Sequence, residues 1–494
     1  MLISIDWIKD FVDLPDMSPK DLAIKFTLST AEVEDVLVTG EFYENLKVAE
    51  IVAVEKHPDA DKLNLVTFNY GQKENKRVVC GAPNVRVGLK VPYAPLGTTF
   101  PAGFTLVPKK IRGILSEGML CSEFELGLSE DSDGLMELNS EAALGQNILN
   151  YMGQEKDVLL DIDNKSLTHR PDLWGHFGMA REFSAIFNKP LKNLCDKAWE
   201  DKLIANFSTE KSPVTPILEG ESSCKGYFGL TVTNIEVKES PDWMQKRLNA
   251  VGLRPINNMV DISNYAMLEY GIPNHIFDRD KIKGDKVVIK RLGGDEDFIT
   301  LDEENRKLVT SDTIICDEAE TLVIGGIMGG LKSGVTDQTK TIFIEVANWK
   351  AAEVRKTSNR LGLRTDSSQR YEKSLDNQLL KRTTLRILEL VLELCPSAKV
   401  IGKLEYNGEN LDDHLPLRVK TSVDSITRQL GTELSEDRII EIFNSLDFTV
   451  NKVVNDLEIQ VPSYRSTKDI DCEADLVEEV GRIIGYDNIT PLAP

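Results

Sequence analysis

At 494 residues the chain is too long for one hydrophobic core, and ordinary domain sizes predict roughly three or four domains. An apolar fraction of 41% with 28% charged residues is that of a folded globular protein and excludes extensive disorder. The net charge of −22 disfavours binding to polyanions over the whole surface, yet VRVGLK (85–90) and VPKKIRG (107–113) concentrate cations locally.

The opening MLISIDWIKD carries an early acid and leads into no long apolar run, so neither a secretory signal nor a membrane span is expected. Seven scattered cysteines, odd in number and without a CxxC pair, argue against a disulfide framework or a zinc site. A reducing cytoplasm fits best. Residues 1–38 read as two short helices, the second in SPKDLAIKFTLS with Ser18 as cap and Pro19 in the first turn. From 39 to 150 short β-rich runs alternate with Gly, Pro and Asn turns, a pattern that predicts a small barrel.

Residues 151–204 hold a helix with apolar spacing at Met179, Phe183 and Ile186, expected to pack on the leader. The polar stretch NFSTEKSPVTP precedes a mixed α/β region, in which SPDWMQKRLNAVG reads as a helix with Pro241 in its first turn and Gly252 closing it. A second polar joint, YNGENLDDH, leads into a tail, residues 406–494: a strand, helices after Ser422 and Ser435, two strands and a last helix in ADLVEEVGRIIGY. That order is winged-helix-like, and such units often have no nucleic-acid role. The expected fold class is therefore multidomain α+β.

Four features invite chemistry. His275 lies in the apolar run IPNHIFD, where a single histidine is more often a core group than a catalyst. Glu345 interrupts IFIEVANW; an acid there either faces solvent or is buried with a hydrogen-bond partner. GGIMGG would let a ligand approach the backbone, a weak signal by itself. In the tail, Asp475, Glu478 and Glu479 fall at helical i, i+3, i+4 spacing, with Asp469 just before them. Acids near a helix start are common, although four oxygen donors also suit magnesium.

HPDADKL (57–63), VVCGAPNV (78–85) and RGILSEGMLCSEFELGL (112–128), in this order, resemble the tRNA-binding OB module of synthetases and free-standing tRNA-binding proteins. That resemblance implies an OB-fold barrel over 39–150, with Lys109, Lys110 and Arg112 as candidate phosphate contacts. LRPINNMVDISNYAMLEYGIPNHIFDRDKI (253–282), LVIGGIMGGLKSGVTDQTKTIFIEVANW (322–349) and RLGLRTDSSQRYEKSLD (360–376) resemble the proofreading domain of the bacterial-type phenylalanyl-tRNA synthetase β subunit. The first residues, with STAEVEDVL, and the last block, VPSYRSTKDIDCEADLVEEVGRIIGYDNI, resemble the same subunit, so the resemblance runs the length of the chain in family order.

The resemblance implies four parts: an N-terminal domain of residues 1–38 with 151–204, the OB module at 39–150, a mixed α/β editing domain at 205–405, and a winged-helix-like domain at 406–494. It places Asn264, His275, Glu345 and Thr365 at catalytic positions of an editing pocket walled by Ser263, Gly326, Gly329 and Ser367. Ser263 and Ser367 stand where the family commonly has Thr and Ala. The resemblance also implies a magnesium site at Asp469, Asp475, Glu478 and Glu479, a catalytic α partner in an α2β2 heterotetramer, tRNA(Phe) as ligand, and ATP used by the assembly. The family's C-terminal synthetase-like and anticodon-contacting domains have no counterpart before Pro494, which suggests a truncated chain or an unusual short form. The rivals are a free-standing tRNA-binding and editing hydrolase, and an assembly protein whose pocket has decayed; the leader and tail oppose the first, and the intact pocket residues oppose the second.

Overall fold

A computed structural model describes residues 1–129, 133–153, 156–413, 415–454 and 456–489. These form a mixed α/β structure with largely antiparallel sheets. The chain divides into two compact units, residues 37–158 and the remainder. No helix among the described residues is long and apolar enough to cross a membrane.

The unit of residues 37–158 is built on five antiparallel strands in the order Lys76–Cys80, Ala60–Asn69, Lys47–His57, Lys90–Ala94, Met119–Leu120. Two apolar clusters, one around Ile51, Phe68 and Tyr93 and one around Leu46, Phe100 and Ile148, form its core. The sequence predicts a small barrel. Among the described residues the ladder stays open, because its two edge strands do not pair with each other. A hairpin of Lys109–Ile111 and Ile114–Ser116 turns at Arg112 and Gly113, whose φ values of 46° and 85° suit a tight two-residue turn.

In the larger unit the leader helix is Pro19–Ser29, with Ser18 accepting from the Asp21 N–H. The first predicted helix is shorter than its pattern suggests. Residues 2–4 instead pair as a strand with 159–161, and only Ile5–Ile8 is helical. Helix His176–Phe187 packs on the leader as expected, with Phe26 and Phe183 ring centroids 4.8 Å apart. Pro241 caps helix Asp242–Ala250 from just outside rather than lying in its first turn. The tail follows the predicted order, with helices Val423–Leu430 and Glu436–Ser445 capped by Ser422 and Ser435, and a last helix Glu473–Ile484.

The middle of this unit rests on four antiparallel strands: β1 (Cys224–Thr233), β2 (Asn274–Asp278), β3 (Thr341–Trp349) and β4 (Lys399–Gly408), in the order β2-β3-β1-β4. β3 is rich in β-branched and aromatic residues and is buried on both faces, as a central strand should be. Helix α1 (Asn258–Tyr270) packs on β2, and helix Leu379–Leu394 packs on β1 and β3. A Cβ on Gly226 would meet Leu380 of that helix. By strand alternation Tyr227 and Gly229 face the other way. A second sheet, of strands 215–218, 286–291, 313–316, 321–324 and 328–329, supplies the glycine-rich turn between its last two strands.

A buried ion-pair network joins the N-terminal helices to the last helix. Glu182 accepts from Arg170 and Arg482, each at 2.6 Å, and from the Thr30 hydroxyl at 2.9 Å. Glu479 accepts from Arg482 at 2.6 Å and Arg465 at 2.9 Å. Burial alone would raise both carboxyls; the arginines more than offset it and hold both below the usual range. Removing one member strands the others in a medium where an uncompensated charge is costly. Glu182→Ala is therefore expected to destabilise the larger unit by roughly 3–5 kcal/mol, read as a lowered thermal midpoint; an unchanged midpoint would show that the network contributes little.

Candidate functional site

Strand register assembles the site. In the β2-β3-β1 ladder Glu345 stands directly opposite His275 on one side and Gly229 on the other. Paired residues of antiparallel strands project to the same face, so His275 and Glu345 share a face with Tyr227, which lies opposite Ala347. Gly229 makes room on that face for Phe343: a Cβ there would meet the Phe343 ring at 2.6 Å.

The glycine-rich turn packs against the same residues. A Cβ on Gly329 would lie 2.9 Å from the His275 ring, and one on Gly326 2.9 Å from the Trp349 indole. Gly326 also has φ of 72°, which a side chain would strain. These contacts require glycine at both positions for packing against the histidine and the indole. Thr365 caps the short helix α2 (Asp366–Tyr371): its Oγ1 accepts from the Ser368 N–H and donates to the Ile327 carbonyl at 2.8 Å, tying α2 to the turn. Ser367 follows on α2, half-buried. Ser263 and Asn264 lie half-buried on α1, and Asn274 donates to the Ser263 carbonyl at 3.0 Å beside His275. The direct tie from α1 to the histidine strand therefore runs through Ser263, while Asn264 is its neighbour.

Glu345 is only 5% exposed, and the alternative of an outward-facing position does not hold. Its Oε2, the His275 Nε2, the Tyr227 hydroxyl and the Trp349 indole N–H are all buried and make no well-aligned hydrogen bond within the protein, although Tyr227 lies near the Glu345 carboxyl and Trp349 near the Tyr371 hydroxyl. Buried polar atoms are nearly always paired. Four such atoms on elements in mutual contact can take a polar ligand.

Charge at the site follows from burial. The Glu345 carboxyl is pushed up to about 8, with the nearby Tyr227 hydroxyl lowering it slightly, so it is largely protonated at neutral pH. Burial lowers His275 to about 4 and leaves the imidazole neutral. Between these values the pair carries no charge. A neutral acid offers one donor and one acceptor, and a neutral imidazole offers one of each. That set can bind a phenol or a hydroxyl and orient a water without burying an ion.

The four tail carboxylates are not brought to one point. Glu479 lies between Arg465 and Arg482, and Asp469 is paired with Arg465. Asp475 accepts from the N–H groups of Asp471 and Cys472 at the start of the last helix, at 2.8 and 3.0 Å. Glu478 is exposed. With two of the four neutralised by arginine, these side chains as arranged do not fit a magnesium ion, and no step is routed through one. In the unit of residues 37–158, Lys109, Lys110 and Arg112 sit exposed on the hairpin, and none is ion-paired with a described acid. Lys109 also lines a cleft of about 600 Å³ with Cys80, Phe104 and Leu135.

Tyr227 and Trp349 escaped sequence reading because their face depends on register and on which sheet side the glycine turn covers. The only signal for Tyr227 was its place in an alternating strand, KGYFGLTV, which does not say what lies opposite.

Three family models match the chain: a B3/4 domain at residues 223–396, a putative tRNA binding domain at 46–147 and a tRNA synthetase B5 domain at 419–486. Curated relatives include phenylalanine–tRNA ligase β subunits of Solibacter usitatus, 38% identical, and Fusobacterium nucleatum, 34% identical. The alignments cover 100% of this chain and 61% and 60% of those relatives. The Geobacter metallireducens subunit is 38% identical over 100% of this chain and 60% of its own length.

The raised Glu345 carboxyl makes folding depend on pH. The folded state holds this proton more tightly than the unfolded chain, whose carboxyl titrates near 4.5. The stability it contributes is complete below that value and is lost up to about 8, at about 1.4 kcal/mol per pH unit. Glu345→Gln keeps the shape and removes the proton. Its stability relative to wild type should rise between pH 5 and pH 8 in urea titrations; parallel curves would mean that the carboxyl is not buried as described.

Proposed function

We propose that the middle domain of this chain, which is similar along its whole length to phenylalanine–tRNA ligase β subunits and spans about three-fifths of their length, hydrolyses tyrosine mischarged onto tRNA(Phe). The observation that carries this reading is the buried Glu345 carboxyl, whose Oε2 has no well-aligned partner, directly across the ladder from the His275 ring, whose Nε2 has none.

Phenylalanine and tyrosine differ by one hydroxyl, and an apolar pocket rejects an added hydroxyl only about a hundredfold. A second, hydrolytic sieve is then useful. The phenol of a bound tyrosine pairs with Glu345, whereas a phenylalanine ring leaves the carboxyl unpaired at a cost of about 1–3 kcal/mol. The pairing is with a neutral acid at physiological pH, not with the carboxylate that the sequence alone suggests. Main-chain groups of the turn holding Gly326 and Gly329 receive the aminoacyl end, and Thr365 keeps that turn in place. Water attacks the ester carbonyl carbon, the bond to the tRNA ribose oxygen breaks, and that oxygen takes up a proton as the ribose hydroxyl leaves. His275, neutral above about pH 4, accepts the water proton through Nε2 or orients the water with Asn264. Ser263 supports the histidine strand, and Ser367 lies on the wall where it tunes pocket size.

We assign tRNA contact to the unit of residues 37–158, as an OB-type module whose Lys109, Lys110 and Arg112 meet phosphates. The tail is proposed as a winged-helix-like support for a catalytic α chain in an α2β2 assembly, with ATP and magnesium used by that assembly in the cytoplasm. The exposed cationic hairpin supports the first of these assignments.

The test is deacylation of Tyr-tRNA(Phe) by the α and β assembly. Wild type should clear the tyrosyl ester, and Glu345→Ala and His275→Ala should each slow clearance at least tenfold while phenylalanine charging stays near normal. Persistence of the tyrosyl ester with wild type would overturn the reading.

A further inference from the structure

Tyr227 lies inside the site and belongs to none of the positions the family resemblance assigned. Its hydroxyl is fully buried and, like Glu345 Oε2, makes no well-aligned hydrogen bond, yet it is near enough to the Glu345 carboxyl to draw its pKa down. Both side chains project from the same face of the sheet, Tyr227 from β1 and Glu345 from β3, two positions apart along the ladder. The other hydroxyl and imino groups around Glu345 are committed or cannot substitute. Tyr371 on α2 already donates to the Pro273 carbonyl at 2.7 Å, and the Trp349 indole acts on the Tyr371 hydroxyl, whereas Tyr227 is the side chain that acts on the Glu345 carboxyl.

We infer that Tyr227 is a positioning residue that fixes which oxygen of Glu345 is presented to a phenolic ligand, and so sets the selectivity of the pocket for tyrosine over phenylalanine. This rests on the editing reading above. A protonated carboxyl has one donor and one acceptor and can swap them by rotation. If Tyr227 donates to the carbonyl oxygen, the acid O–H is left facing the ligand, and the incoming phenol oxygen accepts from it. Tyr227, Glu345 and the ligand then form one polarised chain. A phenylalanine ring breaks the chain at its open end. Without the Tyr227 hydroxyl the carboxyl is free to turn, its inner oxygen loses its partner, and much of the discrimination is lost.

Four titratable groups face Glu345: Tyr227 and Cys224 on β1, His275 on β2 and Tyr371 on α2. Burial raises both tyrosines and the cysteine and keeps them protonated, and it keeps His275 neutral. Of these four, Tyr227 alone pulls the Glu345 carboxyl down.

The experiment compares full-length wild type with Tyr227→Phe, which removes one oxygen and keeps the ring. Two readouts are taken. In the first, Glu345 is titrated by NMR in protein with isotope-labelled glutamate carboxyl groups, and Glu345→Gln identifies its signal; the Glu345 midpoint should move upward in Tyr227→Phe. In the second, deacylation of Tyr-tRNA(Phe) and Phe-tRNA(Phe) is measured in the α and β assembly; the ratio of the two kcat/KM values should fall about tenfold, with KM for the tyrosyl ester carrying most of the change. An unchanged Glu345 midpoint overturns the inference whatever the hydrolysis shows. An unchanged ratio also overturns it and leaves the editing reading standing. Failure of wild type to hydrolyse either ester defeats the editing reading, and the titration still decides the Tyr227 contact.

Discussion

The site depends on one constraint, the register of a strand buried on both faces. β3 can place Glu345 opposite His275 only if its pairing with β2 and β1 is held, because a slip of one residue would turn the carboxyl to the helix-packed face. The hydrophobic residues on either side, Ile344 and Val346, would then face the pocket. Packing of helix Leu379–Leu394 on one face and of the glycine turn on the other pins that register. The cost is a polar side chain in an apolar sheet. It is limited by keeping the carboxyl protonated and the imidazole neutral, so that neither buries a charge at physiological pH.

The ion-pair network between the N-terminal helices and the tail uses acids in the opposite way. Glu182 and Glu479 are as deeply buried as Glu345 but remain ionised because arginines surround them. One environment keeps a carboxyl neutral beside a tyrosine hydroxyl; the other keeps carboxylates charged and satisfied, holding the N-terminal helices to the last helix. The same contrast explains why Asp469 and Glu479 are poor metal donors in this arrangement: their lone pairs already accept from Arg465 and Arg482.

Elements with strong local signals were legible from the residues alone. Ser18, Ser422 and Ser435 mark helix starts where the structure has them, and the order of the tail elements was readable throughout. Readings that depended on distant partners fared less well. The apolar spacing of residues 4–14 suggested a helix, yet residues 2–4 are claimed by a strand more than 150 positions away. At the site, His275 and Glu345 stood out because each interrupts an apolar run, and the family resemblance grouped them. Their direct pairing across the ladder, the partner role of Tyr227 and the arginine pairing of the tail acids come from tertiary register, for which local sequence carries no signal.

The central claim is that Glu345 reads a phenol, and the most direct measurement is equilibrium binding of two non-hydrolysable ligands to the intact chain. These are adenosine carrying a tyrosyl or a phenylalanyl group through a 3′ amide. Tighter binding of the tyrosyl amide by at least about tenfold, abolished in Glu345→Ala, with the phenol oxygen at hydrogen-bond distance from Glu345 in a crystal of the complex, is the predicted result. Equal affinity for the two amides, or a phenol bound away from Glu345, would contradict the account.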